Sequence, residues 1–189
     1  INFEGNANGF RILTNSFNNK NIGGLNLTHT TLASTLKYPC SSSQIDDDFI
    51  HSKKYNYFQS EIVAFQKVCN DTNMKVHKTD PKSYYRHPFS YLVEASDDIC
   101  NAIIDLEDAH RIGILSSYDV SGLLEKLIRC VKKENVHYTE NTSIEDPKDK
   151  NEYLANLRAA SIDILTIKCA AFFDEYKEEI IAGEWNDKE

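Results

Sequence analysis

Glycine and proline are scarce in this sequence, with seven and four residues respectively among 189. Both residues interrupt regular helices, and alternation of β-branched residues with polar ones is almost absent as well. Apolar residues instead recur every three or four positions through most of the chain, a spacing typical of amphipathic helices. The chain is therefore predicted to be all-α.

Three further absences narrow the class of protein. The five cysteines are odd in number and form no C-x-x-C pair, which argues against a disulfide framework or a zinc knuckle and favours reduced thiols. No apolar run approaches the roughly 18 residues of a membrane span, and no segment resembles a signal peptide. A net charge of −8 gives no support for binding nucleic acid, including single strands. We expect a cytoplasmic protein that does not contact membranes.

The length predicts a single helical region over residues 1–189. The hydrophobic spacing predicts helices over about 3–17, 26–36, 59–70, 88–112, 117–133 and 149–182. The polar segment 40–57, with its three consecutive aspartates, is predicted to be a mobile loop, and 141–148 an exposed linker. Either Ser116 or Ser117 could cap the fifth of these helices.

The helix predicted over 88–112 carries an acidic stripe. Its polar members recur three or four positions apart: Glu94, Asp97, Asn101, Asp105 and Asp108. Carboxylates at this spacing repel one another by about 0.2–0.5 kcal/mol per pair. The stripe fits a solvated face, and it also fits a site for a hard cation or a polar substrate. The six histidines form no H-x-x-H, H-E-x-x-H or His-Asp pair, so the residues alone complete no metal centre.

The first eleven residues contain a specific motif. FEGNANGFR, at Phe3–Arg11, resembles the FEGNAQGFR of the deoxyguanosine triphosphate triphosphohydrolase family. Further similar segments follow in order: Gly24–Thr28, Thr31–Ala33, Lys37–Pro39, Lys53–Lys54, Phe58–Glu61, Arg86–Pro88, Leu92–Cys100, Ile104–Asp108, Leu157–Ala159 and Ile180–Trp185. Because these segments extend over nearly the whole chain, they argue against chance similarity.

The resemblance implies a fold and an activity. Members of this family are all-helical HD-domain enzymes that split a deoxynucleoside triphosphate into deoxynucleoside and inorganic triphosphate at a divalent metal, Mn²⁺ or Mg²⁺. Four residues hold the metal in the family: a His, an adjacent His-Asp pair and a later Asp, to which Asp97 corresponds. The other three lie upstream of the FEGNA segment and are absent from this chain. We therefore expect a partial HD-domain-like helical bundle, a C-terminal fragment without its N-terminal helices, that contains no catalytic residue of its own.

The resemblance also implies which residues bind the substrate. Asn6 matches an asparagine that approaches the nucleotide, and Lys37 and Tyr38 match a pair near the phosphates. Lys54 matches a loop lysine, and Arg158 stands where a basic residue of the last helix reaches phosphate. Plainer roles stay open for several of these residues, since an asparagine can cap a helix and a lysine can be solvated.

Two further positions on the acidic helix are implied to contact the substrate. Asp105 matches an acid that accepts from a sugar hydroxyl or a base, and Asn101 stands where the family often has a tyrosine beside the sugar. Asn101 is therefore where this chain departs from the family and where its substrate preference is in question. The remaining acids of the helix, Glu94, Asp98, Glu107 and Asp108, are expected to be solvated or to form salt bridges.

Three hypotheses for function follow. The first is metal-dependent hydrolysis of deoxynucleoside triphosphates, above all dGTP, by a homo-oligomer such as the hexamers of the family. The second is a catalytically inactive HD-like module that binds nucleotide or assembles with other subunits. The third is a structural helical bundle whose acidic residues are only solvated.

Overall fold

The computed structural model of the chain describes residues 3–16, 24–78, 83–134, 149–183 and 185, without the side chains of 132–134. Most of these residues form six helices: α1 (Gly5–Thr14), α2 (His29–Ser34), α3 (Ile62–Asp71), α4 (Pro88–Arg111), α5 (Ser117–Glu134) and α6 (Lys150–Ala182). Three short 3₁₀ turns lie at Ser42–Gln44, Ile50–Ser52 and Gln59–Glu61. The described residues contain no strand, only two isolated β-bridges. The all-α prediction is confirmed.

The chain divides into two compact units. The first unit comprises Ile1–Glu94 and Tyr176–Glu189, and the second comprises Ala95–Glu175. The boundaries between them fall within α4 and within α6. The single helical region predicted over 1–189 stays a prediction.

Aromatic side chains form the core of the first unit. Phe65 of α3 lies edge-on to Phe10 of α1, with ring centroids 6.3 Å apart, and stacks on Tyr57 at 4.1 Å. Tyr57 belongs to the segment 40–57 and, like Asn56 before it, is buried. This segment is irregular, as predicted. Its C-terminal part, however, is packed against the core, whereas a mobile loop would be exposed. Burial of one such ring contributes about 1.5–3 kcal/mol, which fixes the segment in position.

Three helices form the core of the second unit. The buried residues share one apolar face on each helix: Ile103 of α4, Val120, Leu124, Ile128 and Val131 of α5, and Leu157 and Ile164 of α6. Ser116 caps α5, because its Oγ accepts a hydrogen bond from the Asp119 N–H at 3.2 Å. The Asp119 Oδ2 in turn accepts from the Ser116 N–H at 3.0 Å. Of the two predicted caps, Ser116 is therefore the one used.

Helix boundaries agree best for the long helices. The predicted 88–112 and 149–182 differ from α4 and α6 by one residue at an end, whereas α1 and α2 are shorter than the predicted 3–17 and 26–36. Thr28 caps α2 by accepting from the Thr31 N–H at 3.1 Å, and Asn26 has a φ of 51°, which excludes it from a right-handed helix. The predicted linker 141–148 lies outside the described residues.

Candidate functional site

Three cationic side chains surround one aromatic ring in the first unit. The ammonium nitrogens of Lys37 and Lys54 each lie 5.9 Å from the centroid of the Tyr38 ring, and the guanidinium carbon of Arg86 lies 6.0 Å from it. These distances are at the limit for a cation–π contact, and they place three positive charges no more than 6.0 Å from the centre of one ring. We call Lys37, Tyr38, Lys54 and Arg86 the cation cluster. Three of its four members are residues that the sequence predicted to bind substrate.

Glu94 holds two of these cations in place. Its Oε1 lies 2.6 Å from Lys37 Nζ, and its Oε2 lies 2.8 Å from Arg86 Nη1. The Arg86 side chain is only 4% exposed, and its Nε donates to the Lys37 carbonyl at 2.8 Å. A buried guanidinium requires partners of this kind, because an uncompensated charge is costly in the interior. Arg86 and Glu94 therefore fix the geometry in which Lys37 is presented.

The backbone beside Tyr38 is held by a buried asparagine. The Asn56 Oδ1 accepts from the Tyr38 N–H at 2.6 Å, and its Nδ2 donates to the Thr35 carbonyl at 3.3 Å. The Asn56 N–H donates to the Cys40 carbonyl at 3.2 Å. The side chain of Asn56 thus joins Thr35 to Tyr38, and its backbone N–H holds Cys40 after the pair. Such fixing of a short loop places its side chains in advance of any ligand.

Asn6 takes part in the start of α1. Its side-chain Nδ2 donates to Glu4 Oε1 at 2.6 Å, and its backbone N–H donates to the same oxygen at 3.0 Å. Glu4 is the N-cap of this helix. Asn6 makes no hydrogen bond to a described member of the cation cluster, so its position matches the plainer role of a residue within a helix cap.

Asp97, Asn101 and Asp105 lie on α4 in the second unit. All three are exposed and four residues apart, so they follow one face of the helix, and their side chains make no hydrogen bond or ion pair with another described residue. No group of three or more His, Cys, Asp or Glu side chains that could hold a metal ion occurs within the described ranges. Mg²⁺ requires about six ligands, and one carboxylate supplies at most two of them. The described residues therefore do not fit a metal site on their own, and we derive no step through a metal from them.

Arg158 pairs with Glu107 in the second unit. Its Nη1 lies 2.5 Å from Glu107 Oε2, and Arg111 Nη2 lies 2.7 Å from Glu107 Oε1. The hydrogen bond from Arg158, more than the charge of Arg111, lowers the pKa of Glu107, so this carboxylate is ionised at neutral pH. The expectation that Glu107 forms a salt bridge is confirmed, as it is for Glu94.

The predicted site residues other than Asn6, which lies at the start of α1, fall into three groups. Lys37, Tyr38 and Lys54 lie together, Asp97, Asn101 and Asp105 lie along α4, and Arg158 lies beside Glu107. Sequence reasoning missed Arg86 as a member of the cluster. Its only signal was that Arg86–Pro88 resembles a family segment, since a buried ion pair between distant residues leaves no periodic pattern.

Comparison with known proteins supports the resemblance. Deoxyguanosinetriphosphate triphosphohydrolase-like proteins of Pseudomonas aeruginosa and of a Synechocystis species are 33% and 32% identical to this chain, each over 97% of it. A protein of the same name from Listeria monocytogenes is 28% identical over 98% of the chain. No family model matches the chain.

The chain spans about 40% of the length of the curated relatives it matches. It is homologous to proteins named as triphosphohydrolase-like over nearly all of its own length, so the resemblance found in the motifs is confirmed. The all-α fold and these relatives agree with the HD-domain-like helical bundle that the resemblance implied. None of the helices in the part of the chain that the structure describes is both long enough and apolar enough to cross a lipid bilayer.

Proposed function

We propose that this chain supplies the triphosphate-binding part of a metal-dependent deoxynucleoside triphosphate triphosphohydrolase, with dGTP as the substrate and deoxynucleoside and inorganic triphosphate as the products. The observation that carries the proposal is the gathering of Lys37, Lys54 and Arg86 around Tyr38. The names of the relatives support the reaction class, since each contains the word triphosphohydrolase.

Charge makes the cation cluster suited to a polyanion. Among the described residues, Lys37 and Arg86 share the Glu94 carboxylate, and Lys54 lies beside the same ring without a carboxylate partner. The chain has a net charge of −8, so a gathering of three cations within it is a distinct local feature. Phosphate oxygens accept charge-assisted hydrogen bonds from Lys and Arg, which are about twice as strong as neutral ones.

The two lysines would act differently on the substrate. Lys54 is exposed and has no carboxylate partner among the described residues, so it can meet a phosphate without breaking an ion pair. Lys37 is bound to Glu94, and a triphosphate would compete with that carboxylate for its ammonium group. Arg86 is buried and keeps both partners, so it positions Lys37 and Glu94.

The other predicted residues complete the proposal. Asp105 and Asn101 would meet the sugar or base, Asn6 the nucleotide and Arg158 a phosphate group, and Asp97 would supply one ligand of a Mn²⁺ or Mg²⁺ ion. Exposure of the three α4 residues supports this assignment, because their oxygens are accessible to a bound group. When bound, the divalent metal would supply Lewis-acid activation at phosphorus.

Kinetics of the whole gene product test the proposal. Release of triphosphate from dGTP is measured with Mn²⁺ or Mg²⁺ for the parent protein, Lys54→Ala and Lys67→Ala. Lys67 is an exposed lysine of α3, in the same unit and outside the cluster, and serves as the matched control. We expect Lys54→Ala to raise KM about tenfold and the control to leave it unchanged. Binding of dGTP without hydrolysis by the parent protein would favour the inactive nucleotide-binding module, and neither binding nor hydrolysis would refute both.

A further inference from the structure

A cavity lies within the second unit, and no member of the cation cluster lines it. Its volume is about 380 Å³, which is within the range of small-molecule sites. It lies between α4, α5 and α6, and neither Asp97, Asn101 nor Asp105 lines it. Arg158, by contrast, does line it.

One wall of the cavity is cationic. Arg111 and Arg158 both line it, together with the Glu107 carboxylate that joins them. Both guanidinium groups pair with Glu107, and Arg111 Nη1 also lies 3.9 Å from Asp108 Oδ1, so of the two arginines Arg158 is the one with a single carboxylate partner among the described residues. Each arginine offers about five N–H donors, and with the described residues Arg158 makes one hydrogen bond, from Nη1. The remaining donors of Arg158 are available to a ligand, and its side chain is 38% exposed.

Much of the remaining lining of the cavity is apolar. Ile103, Val120 and Leu124 line the cavity and are each 3% exposed, and Leu154 of α6 lines it beside them. These side chains belong to the core of the second unit, so the wall is fixed by packing. A ligand that lies here would bury apolar surface against a preformed wall while its polar end faces the arginines.

We propose that this cavity binds a small amphipathic anion, with its carboxylate or phosphate group on Arg158 and Arg111 and its apolar body on Ile103, Leu124 and Leu154. Guanidinium groups form paired, planar hydrogen bonds with carboxylate and phosphate oxygens. This inference does not rest on the function proposed above, because the two share only Arg158 and no member of the cation cluster lines the cavity.

Isothermal titration calorimetry on the whole gene product tests this site with three probes. 4-Phenylbutyrate carries the carboxylate, phenyl phosphate carries the phosphate, and 4-phenylbutanamide is the neutral counterpart of the first. We expect the carboxylate to bind at least about tenfold more tightly than the amide, and the comparison with phenyl phosphate identifies the preferred anion. Failure of both anionic probes to bind, or equal binding of carboxylate and amide, would overturn the proposal.

Two variants and a control locate the bound anion. We expect Arg158→Gln to weaken the binding of 4-phenylbutyrate about tenfold. Arg111→Gln should weaken this binding as well, and because the Arg111 side chain is 66% exposed, its replacement leaves the core intact. Arg129→Gln is the control, because Arg129 is an exposed arginine of α5 that does not line the cavity. Unchanged binding in both test variants would refute the assignment. Displacement of the probe by inorganic triphosphate would show instead that Arg158 contacts the substrate, as the sequence implied.

Discussion

At the scale of single residues, Glu61 is the most constrained ionisable group in the first unit. Its side chain is 1% exposed, and its Oε1 accepts hydrogen bonds from Arg11, Asn15 and Ser60 at 3.1, 3.1 and 2.7 Å. Burial raises the pKa of Glu61, but these hydrogen bonds and the Arg11 charge outweigh burial, so the pKa is lowered. The ionised carboxylate therefore joins α1 to the start of α3.

The first prediction concerns the loss of this charge. Glu61→Gln removes the negative charge and leaves a neutral amide where the carboxylate accepts from three donors, so we expect the free energy of unfolding to fall by about 1–3 kcal/mol. Urea unfolding followed by circular dichroism measures this. Glu178→Gln, at an exposed position of α6, is the control and should change stability by less than about 0.5 kcal/mol. Equal stabilities for the two variants would contradict the role given to Glu61.

The second prediction is the pH dependence of the same contribution. Because the pKa of Glu61 is lower in the folded protein than its ordinary value of 4.5, its contribution is complete above that pH. It is lost as the pH falls from 4.5 through the folded pKa. The parent protein should therefore lose more stability between pH 5 and pH 3 than Glu61→Gln, measured by urea unfolding at each pH. A parallel loss in both proteins would show that Glu61 titrates as an ordinary carboxyl.

At the scale of elements, the start of α5 gives a third prediction. Ser116 and Asp119 cap this helix reciprocally, and the hydrogen bonds from Ser116 lower the pKa of Asp119. Ser116→Ala should reduce stability by about 1 kcal/mol and speed amide exchange in the first turn of α5. Ser117→Ala is the matched control, since its hydroxyl makes no hydrogen bond with a described residue. An equal loss in both variants would argue that helix propensity, not capping, is responsible.

Elements differ in how far the sequence predicts them. α4 and α6 were predicted to within a residue at their ends because Pro88, Gly113 and Gly183 mark their limits, and the two glycines have φ of 77° and 67°. α2 was predicted too long, since the conformation of Asn26 depends on the loop before it. Local signals therefore fix helices well where a proline or glycine stands at the boundary.

The candidate site was predictable only in part. Lys37, Tyr38 and Lys54 came from family motifs, but no spacing in the sequence shows that they surround one ring. Arg86 reaches the Lys37 carbonyl and the Glu94 carboxylate through tertiary packing. Glu94 belongs to the acidic stripe, where the sequence predicts a solvated or salt-bridged side chain. It does form salt bridges, but the sequence does not show that they belong to the cation cluster. Contacts between residues far apart in the chain are decided by packing, which periodicity does not encode.

At the scale of the whole molecule, exposed apolar side chains support assembly. Ile112, Ile114 and Tyr118, at the turn between α4 and α5, are 72%, 71% and 84% exposed. Adjacent exposed apolar residues mark interaction surfaces more often than single ones do. As a fourth prediction, light scattering on the whole gene product should give a molar mass several times that of one subunit, six times for a hexamer. A mass equal to one subunit across micromolar concentrations would contradict the proposed homo-oligomer.

The central claim is that a protein with a net charge of −8 keeps a local cation cluster for a triphosphate. Calorimetric binding of inorganic triphosphate to the whole gene product tests this most directly, because it needs neither metal nor turnover. We predict that Lys54→Ala binds triphosphate about tenfold more weakly than the parent protein, while Lys67→Ala binds within twofold of it. Equal affinities for Lys54→Ala and Lys67→Ala would contradict the claim.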